Sequence, residues 1–159
     1  HEIIKYENLL MKAHGKMYEG FEEVRKQVMA LEDYLFDLGV EVKPCHNDLV
    51  AENFIIDENG KIFLIDWEYS GMNDPMADFA ALFLENKFTA ENVDYVLKKY
   101  FEGNVPEGTS QKILAYQVLW DYLWALWTCI KEAEGDDFGT YGLDRYNRAI
   151  QNLKLISVK

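Results

Sequence analysis

The chain has 159 residues, enough for one domain with a sizeable core and too few for two full-sized ones. Apolar residues make up 49% and aromatic ones 14%, the composition of a folded domain rich in rings. A net charge of -12 and a pI of about 4.6 argue against nucleic acid and anionic membrane surfaces as partners, and suit a cationic ligand.

No apolar run approaches the ~18 residues of a membrane span, and no signal peptide is legible. Cys45 and Cys129 lack CxxC spacing and read as reduced thiols of a cytoplasmic protein. The first residue is His1 rather than Met, so residues upstream of it are expected, removed by processing or belonging to a longer polypeptide.

Residues 2–12 carry Ile3, Ile4, Leu9 and Leu10 and predict a short helix. Residues 18–38 predict a second, because Phe21, Val24, Val28, Leu31, Leu35 and Leu38 recur at three and four, with Gly39 as C-terminal cap. Val40 to Asn53 reads as polar loop. Phe54–Ile56 and Ile62–Ile65 are short β-type runs around the turn signal Glu58–Asn59–Gly60, and predict a β-hairpin. Trp67 to Asp74 is loop again. Asp74–Pro75 is an N-cap followed by proline at the first helical position, opening a helix from Met76 to about Glu85. Thr89 caps a helix over 90–100, and Gly103 to Gly108 forms a break around Pro106. Ser110 opens a long helix to about Ala133, ended near Gly135, and a last helix covers roughly 143–155. The fold class is mainly α with a small β-hairpin, α+β, in a single domain over 1–159.

His46–Asn53 reads H-x-D-x-x-x-x-N, and residues 65–68, past the hairpin turn, read Ile-Asp-Trp-Glu. Taken singly, Asp48 and Asn53 are ordinary turn residues and Asp66 a strand-end cap. Taken together, with a hairpin between them, they supply what phosphoryl transfer needs. One carboxylate accepts the attacking hydroxyl's proton, and a carboxylate with an amide oxygen holds Mg²⁺ against the phosphates.

The stretch Cys45 to Glu85, CHNDLVAENFIIDENGKIFLIDWEYSGMNDPMADFAALFLE, resembles the choline/ethanolamine kinase family, within the aminoglycoside-phosphotransferase-like kinases, and is most similar to its bacterial choline kinases. The likeness extends to Leu126–Thr128 and Asp137–Gly139. It implies the C-terminal lobe of a protein-kinase-like fold, with Asp48 as catalytic base and Asn53 and Asp66 as Mg²⁺ ligands. His46 and Asp78 become structural supports, Asp78 holding the catalytic loop's backbone. One departure is Ala77, where the family usually carries tryptophan. The implied activity is ATP- and Mg²⁺-dependent phosphorylation of choline, with no nucleic-acid or membrane partner.

Trp120, Trp124 and Trp127, with Tyr116 one turn earlier, share a face of the long helix, by itself the pattern of a buried stripe. The resemblance gives part of it another use: Trp124 and Trp127 fall where the family has pocket tryptophans, and Tyr69 and Tyr141 where it has pocket tyrosines. A trimethylammonium group donates no N–H bond, so aromatic faces suit it. Trp120 and Tyr116 are left as core; Glu52 and Glu68 are nearby acids with either a solvated or a charge-supplying role.

A kinase of this kind also has an N-terminal lobe with a phosphate-covering loop and a strand lysine. No such set is found in residues 1–45, which read as a helical entry to the C-terminal lobe. The chain alone is therefore expected to turn over poorly. Its bare lobe-docking surface is expected to be hidden by dimerisation or by repacking of residues 1–20. Two alternatives stay open: a kinase of ethanolamine, an aminoglycoside or a sugar, and a non-catalytic choline-binding module.

Overall fold

A computed structural model describes residues 2–156. Six α-helices and two small antiparallel sheets follow in chain order: α1 Glu2–Lys12, α2 Phe21–Asp37, β1 Lys43–Cys45, β2 Phe54–Ile56, β3 Ile62–Leu64, β4 Gly71–Asn73, α3 Pro75–Glu85, α4 Ala90–Tyr100, α5 Thr109–Glu134 and α6 Tyr141–Leu153. A mainly helical C-terminal lobe carrying a small hairpin is what the sequence implied. The described residues form two compact units: one of the chain up to Phe36 and from Val118 on, the other of Asp37–Gln117.

The first unit is helical. The stripe of α2 is buried, with Leu31 at 0% and Val28 at 1% exposure, and α5 contributes Val118, Ala125 and Leu126, each at 0%. Tyr146 and Ala149 of α6 complete this core. A fully buried leucine of this kind contributes about 2–3 kcal/mol. A two-pronged ion pair ties α2 to α1, as Arg25 Nε and Nη2 donate to Glu7 Oε1 and Oε2 at 2.7 and 2.9 Å.

The second unit packs Met76, Ala80, Phe83, Leu97 and Ile113 into a core joined by Phe79, Leu82, Phe88 and Tyr116. Asp74 caps α3 by accepting from the Met76 amide at 2.9 Å, and Thr89 and Asn92 form a reciprocal capping box at the start of α4. Buried Asp74 also accepts from the Glu41 amide at 3.2 Å and from Lys112 Nζ at 2.9 Å. It therefore ties the approach to β1 and the first turns of α5 to the start of α3.

The β2–β3 hairpin forms in the register Phe54 to Leu64 and Ile56 to Ile62. The other sheet was not legible: Lys43–Cys45 pairs with Gly71–Asn73, and both segments read as loop in sequence. Three-residue strands show no alternation, and β1 contains Pro44, so only a long-range partner defines them. The segment before His46 is thus strand at its end, rather than helical throughout. A single 3-10 turn, Ala51–Asn53, likewise lies inside the expected loop. The hairpin is bare: Ile56 is 66% and Ile62 61% exposed.

Candidate active site

The geometry begins with the two short sheets. Pairing of β1 with β4 delivers the chain to His46 just as it leaves the strand. There the Asp78 carboxylate, in the first turn of α3, receives two consecutive main-chain amides: His46 N–H donates to Oδ2 at 2.8 Å and Asn47 N–H to Oδ1 at 2.7 Å. Asn47 has a left-handed backbone, φ 62°, which asparagine tolerates better than most residues. Its side chain secures that turn, with Nδ2 donating to the Tyr69 carbonyl at 3.0 Å and Oδ1 accepting from Asn73 Nδ2 at 3.0 Å. A strained turn persists when its surroundings over-determine it, and this one fixes the direction in which the next residue, Asp48, leaves the loop.

Asp48 is half-buried and is held from the far end of the motif. Asn53 Nδ2 donates to the Asp48 carbonyl at 2.9 Å and to its Oδ2 at 3.2 Å. Both partners are acceptors, so the Asn53 nitrogen must face them and its Oδ1 is turned away from Asp48. The five-residue gap in H-x-D-x-x-x-x-N is spanned by the 3-10 turn, closed by Asn53 N–H donating to the Val50 carbonyl at 3.1 Å.

Asp66 follows β3. The amide of Ile65 donates to the Asn53 carbonyl at 2.9 Å, so the hairpin brings the residue before Asp66 onto Asn53. Asp66 itself adopts φ 62°, turning the chain out of the strand. His46 braces this corner: its ring Nε2 donates to the Ile65 carbonyl at 2.8 Å, and its ring meets Trp67 edge-on at 4.7 Å. Nδ1 of His46 is buried without a hydrogen-bond partner. The second unit therefore brings together Asp48, Asn53, Asp66, His46 and Asp78. Tyr69 is tied to the same loop through Asn47.

Burial pushes the Asp48 carboxyl above the usual carboxylate range; neighbouring Asp66 and Glu85 push the same way, while the Asn53 donor and His46 oppose it. A carboxyl so held is a better proton acceptor than a solvated one. An amide oxygen and a carboxylate, as Asn53 and Asp66 carry, are ligands of the type Mg²⁺ takes, an ion that completes its shell with water and phosphate oxygens. Among the described residues no group of three or more His, Cys, Asp or Glu gathers as a metal site.

The aromatic residues of the first unit form a connected series. Trp124 meets Trp120 at 5.8 Å and Trp127 at 5.2 Å; Trp127 meets Phe138 at 5.1 Å; Phe138 meets Tyr141 at 6.4 Å. Trp124, Trp127 and Tyr141 are thus linked, with Phe138 as a joint that the residue-by-residue reading missed. Its position in Asp137–Phe138–Gly139 was the available signal. The start of α6 fits closely here because Gly142 has no side chain: a Cβ there would stand 2.7 Å from Thr128 Cβ and collide with the Tyr18 hydroxyl. A groove of about 470 Å³ also opens on Trp127, and its charged lining is Lys5, Lys12, Lys131 and Glu134, the last two paired at 2.8 Å.

A buried charge cluster lies beside these rings and was not legible in sequence. Asp121, at 0% exposure, accepts from Arg145 Nη1 at 3.2 Å and from Arg148 Nε and Nη2 at 2.7 and 2.6 Å. The Arg145 guanidinium stands 4.5 Å from the Tyr141 ring centre and 5.9 Å from that of Trp124. Both cysteines are free and buried, and burial raises both thiols, Cys45 to about 11, consistent with inert residues. No helix among the described residues is long and apolar enough to cross a membrane.

Residues 4–107 match the family described as choline/ethanolamine kinase. The LicA protein of Haemophilus influenzae is 34% identical over 140 residues, covering 84% of this chain and 48% of that protein. The crystal structure of the choline kinase LicA from Streptococcus pneumoniae superposes with a TM-score of 0.84 at 45% identity, over 98% of this chain and 54% of the other. A crystal structure of LicA in complex with AMP gives a TM-score of 0.85 at 47% identity, over 97% of this chain and 53% of that one. The chain spans about half the length of these relatives. A match over this much of the chain, joined to a loop and hairpin of the geometry above, leads to one conclusion: the chain belongs to the choline/ethanolamine kinase family.

Proposed function

We propose that this chain carries the acceptor-activating and metal-holding half of a kinase that moves the γ-phosphoryl group of ATP onto the hydroxyl of choline. The observation that carries the reading is the Asp48 carboxyl, raised by burial, pinned by Asn53 and set on a loop whose backbone Asp78 holds. In the reaction the choline oxygen forms a bond to the γ-phosphorus, the bond from that phosphorus to the bridging oxygen breaks, and ADP leaves. Asp48 aims the hydroxyl and takes its proton. Asn53 Oδ1 and Asp66 would hold Mg²⁺, which when bound supplies positive charge against the phosphates. His46 keeps the Asp66 corner in place through Ile65.

The linked rings of Trp124, Trp127 and Tyr141 support choline as the acceptor. Cation–π attraction of ~0.5–2 kcal/mol per ring is the interaction open to a group without N–H donors. The relatives named choline kinase support the same choice. Ethanolamine, whose ammonium donates hydrogen bonds, depends less on ring faces and more on carboxylates. The bare hairpin residues Ile56 and Ile62 suit burial under a further, nucleotide-clamping part of the kinase. Without that clamp the triphosphate is loosely held, so we expect the chain alone to turn over poorly, in the cytoplasm or in a tube. A second copy covering the hairpin is the alternative, read by sedimentation. The experiment is coupled ADP release with choline and with ethanolamine, in a polypeptide joining this chain to a nucleotide-binding half. A higher kcat/KM for choline supports the reading; a higher value for ethanolamine overturns the acceptor, and release with neither overturns the activity.

A further inference from the structure

Asp66 stands at a corner that the catalytic loop and the start of the hairpin hold from both sides. Ahead of it, Ile65 N–H donates to the Asn53 carbonyl at 2.9 Å, and the Ile65 carbonyl accepts from His46 Nε2 at 2.8 Å. Behind it, Asn47 Nδ2 donates to the Tyr69 carbonyl at 3.0 Å. Two bonds of the segment between are local to it: Ser70 N–H donates to the Trp67 carbonyl at 3.0 Å, and Trp67 Nε1 to the Leu64 carbonyl at 2.9 Å. The Asn47 bond is different in kind, since it reaches across 22 residues of sequence. The carboxamide that makes it is itself aimed. Asn73 Oδ1 accepts from the Asp74 amide at 2.9 Å, and Asn73 therefore presents its Nδ2 to Asn47 Oδ1, at 3.0 Å. With its oxygen so engaged, Asn47 has its nitrogen left for the Tyr69 carbonyl.

Resting on the reading of Asp66 as a metal ligand, we propose that Asn47 is a positioning residue for Asp66 as well as a brace of its own turn. Its carboxamide fastens the main chain just past Asp66 to the loop that carries Asp48, and so sets the spacing between base and metal ligand. The two jobs are separable. The main chain at His46 and Asn47 is anchored by its own amides, on Asp78 Oδ2 and Oδ1 at 2.8 and 2.7 Å. The φ of 62° at Asn47 is one that glycine adopts without steric penalty. A glycine at this position therefore keeps the turn and removes the tie. A neutral hydrogen bond shifts a local equilibrium by roughly two- to tenfold, which is the size of effect the tie can have on the Asp66 corner.

The test is Asn47→Gly in a polypeptide joining this chain to a nucleotide-binding half, with hydrogen exchange read residue by residue beside coupled ADP release. We expect the Ser70 amide to exchange roughly two- to tenfold faster, and the amides of residues 46 and 47, which Asp78 holds, to change less. The Mg²⁺ concentration for half-maximal rate should rise by a similar factor, while KM for choline stays within about twofold of wild type. Asn73→Asp is measured beside it and leaves the catalytic loop's own sequence intact. It keeps an oxygen for the Asp74 amide but sets another against Asn47 Oδ1, so the carboxamide turns over and loses the Tyr69 carbonyl. It should reproduce both effects. Unchanged exchange at Ser70 in both variants, or a change at residues 46 and 47 as large as the one at Ser70, would overturn the inference and leave Asn47 a brace of its own turn. An unchanged Mg²⁺ requirement would overturn it too. The metal reading has its own control: an Asp66→Ala titration with Mg²⁺ that matches wild type would overturn that reading and this inference with it.

Discussion

Asp78 is the residue on which the catalytic loop hangs, and its replacement has a calculable cost. Its carboxylate oxygens accept the His46 and Asn47 amides at 2.8 and 2.7 Å. A hydrogen bond to a charged group is worth about 1.5–3 kcal/mol, and Asp78→Ala leaves two amides without their partner. We therefore expect a loss of about 3–5 kcal/mol. At roughly 2–4 °C per kcal/mol for a chain of this size, the melting temperature should fall by about 10 °C or more. Asp78→Asn keeps one oxygen acceptor and turns an NH₂ group towards the other amide, so it should fall between wild type and alanine. The loop also holds the left-handed turn at Asn47, so both variants should misplace Asp48 and lower turnover by about 10²-fold even where folding survives. Denaturant unfolding of the chain gives the first quantity and coupled ADP release the second. A loss below about 0.5 kcal/mol in Asp78→Ala would refute the argument that this carboxylate holds the loop.

Other perturbations separate the remaining roles. The rate should fall as pH drops through the raised pKa of Asp48, since the base must be ionised. Asn53→Ala removes a donor that holds this pKa down, so the acid limb should move to higher pH; an unmoved or lowered limb in the pH profile contradicts the assignment. Asp66→Ala should abolish Mg²⁺-dependent turnover and Asn53→Ala should raise the Mg²⁺ concentration needed for half-maximal rate; a Mg²⁺ titration indistinguishable from wild type in both would show that they do not share the ion. Trp127→Ala should lower kcat/KM for choline more than for ethanolamine, and equal losses would return Trp127 to the core.

The sequence carries its local signals well. Each helix has a cap, a stripe or a glycine or proline break to announce it, so α3 and α4 were legible from Asp74–Pro75 and Thr89 almost to the residue. The hairpin announced itself through Glu58–Asn59–Gly60. What stayed hidden depends on partners distant in the chain. Lys43–Cys45 becomes a strand only because Gly71–Asn73 lies beside it, and Pro44 argues against strand until that pairing is seen. The Asp121 cluster was hidden for a related reason: its arginines lie 24 and 27 residues away, on another helix. The motif spacing, by contrast, is local enough to be read directly: five residues from Asp48 to Asn53 allow one 3-10 turn and one side-chain bond back to the start.

The central claim is that Asp48 takes the proton from the acceptor hydroxyl. It is tested most directly by Asp48→Asn in a polypeptide joining this chain to a nucleotide-binding half, with ATP, Mg²⁺ and choline. Asparagine keeps the size and an oxygen acceptor but cannot accept the proton. The account predicts a fall in kcat of at least ~10²-fold with choline binding changed by less than about twofold. Turnover within about threefold of wild type would contradict it.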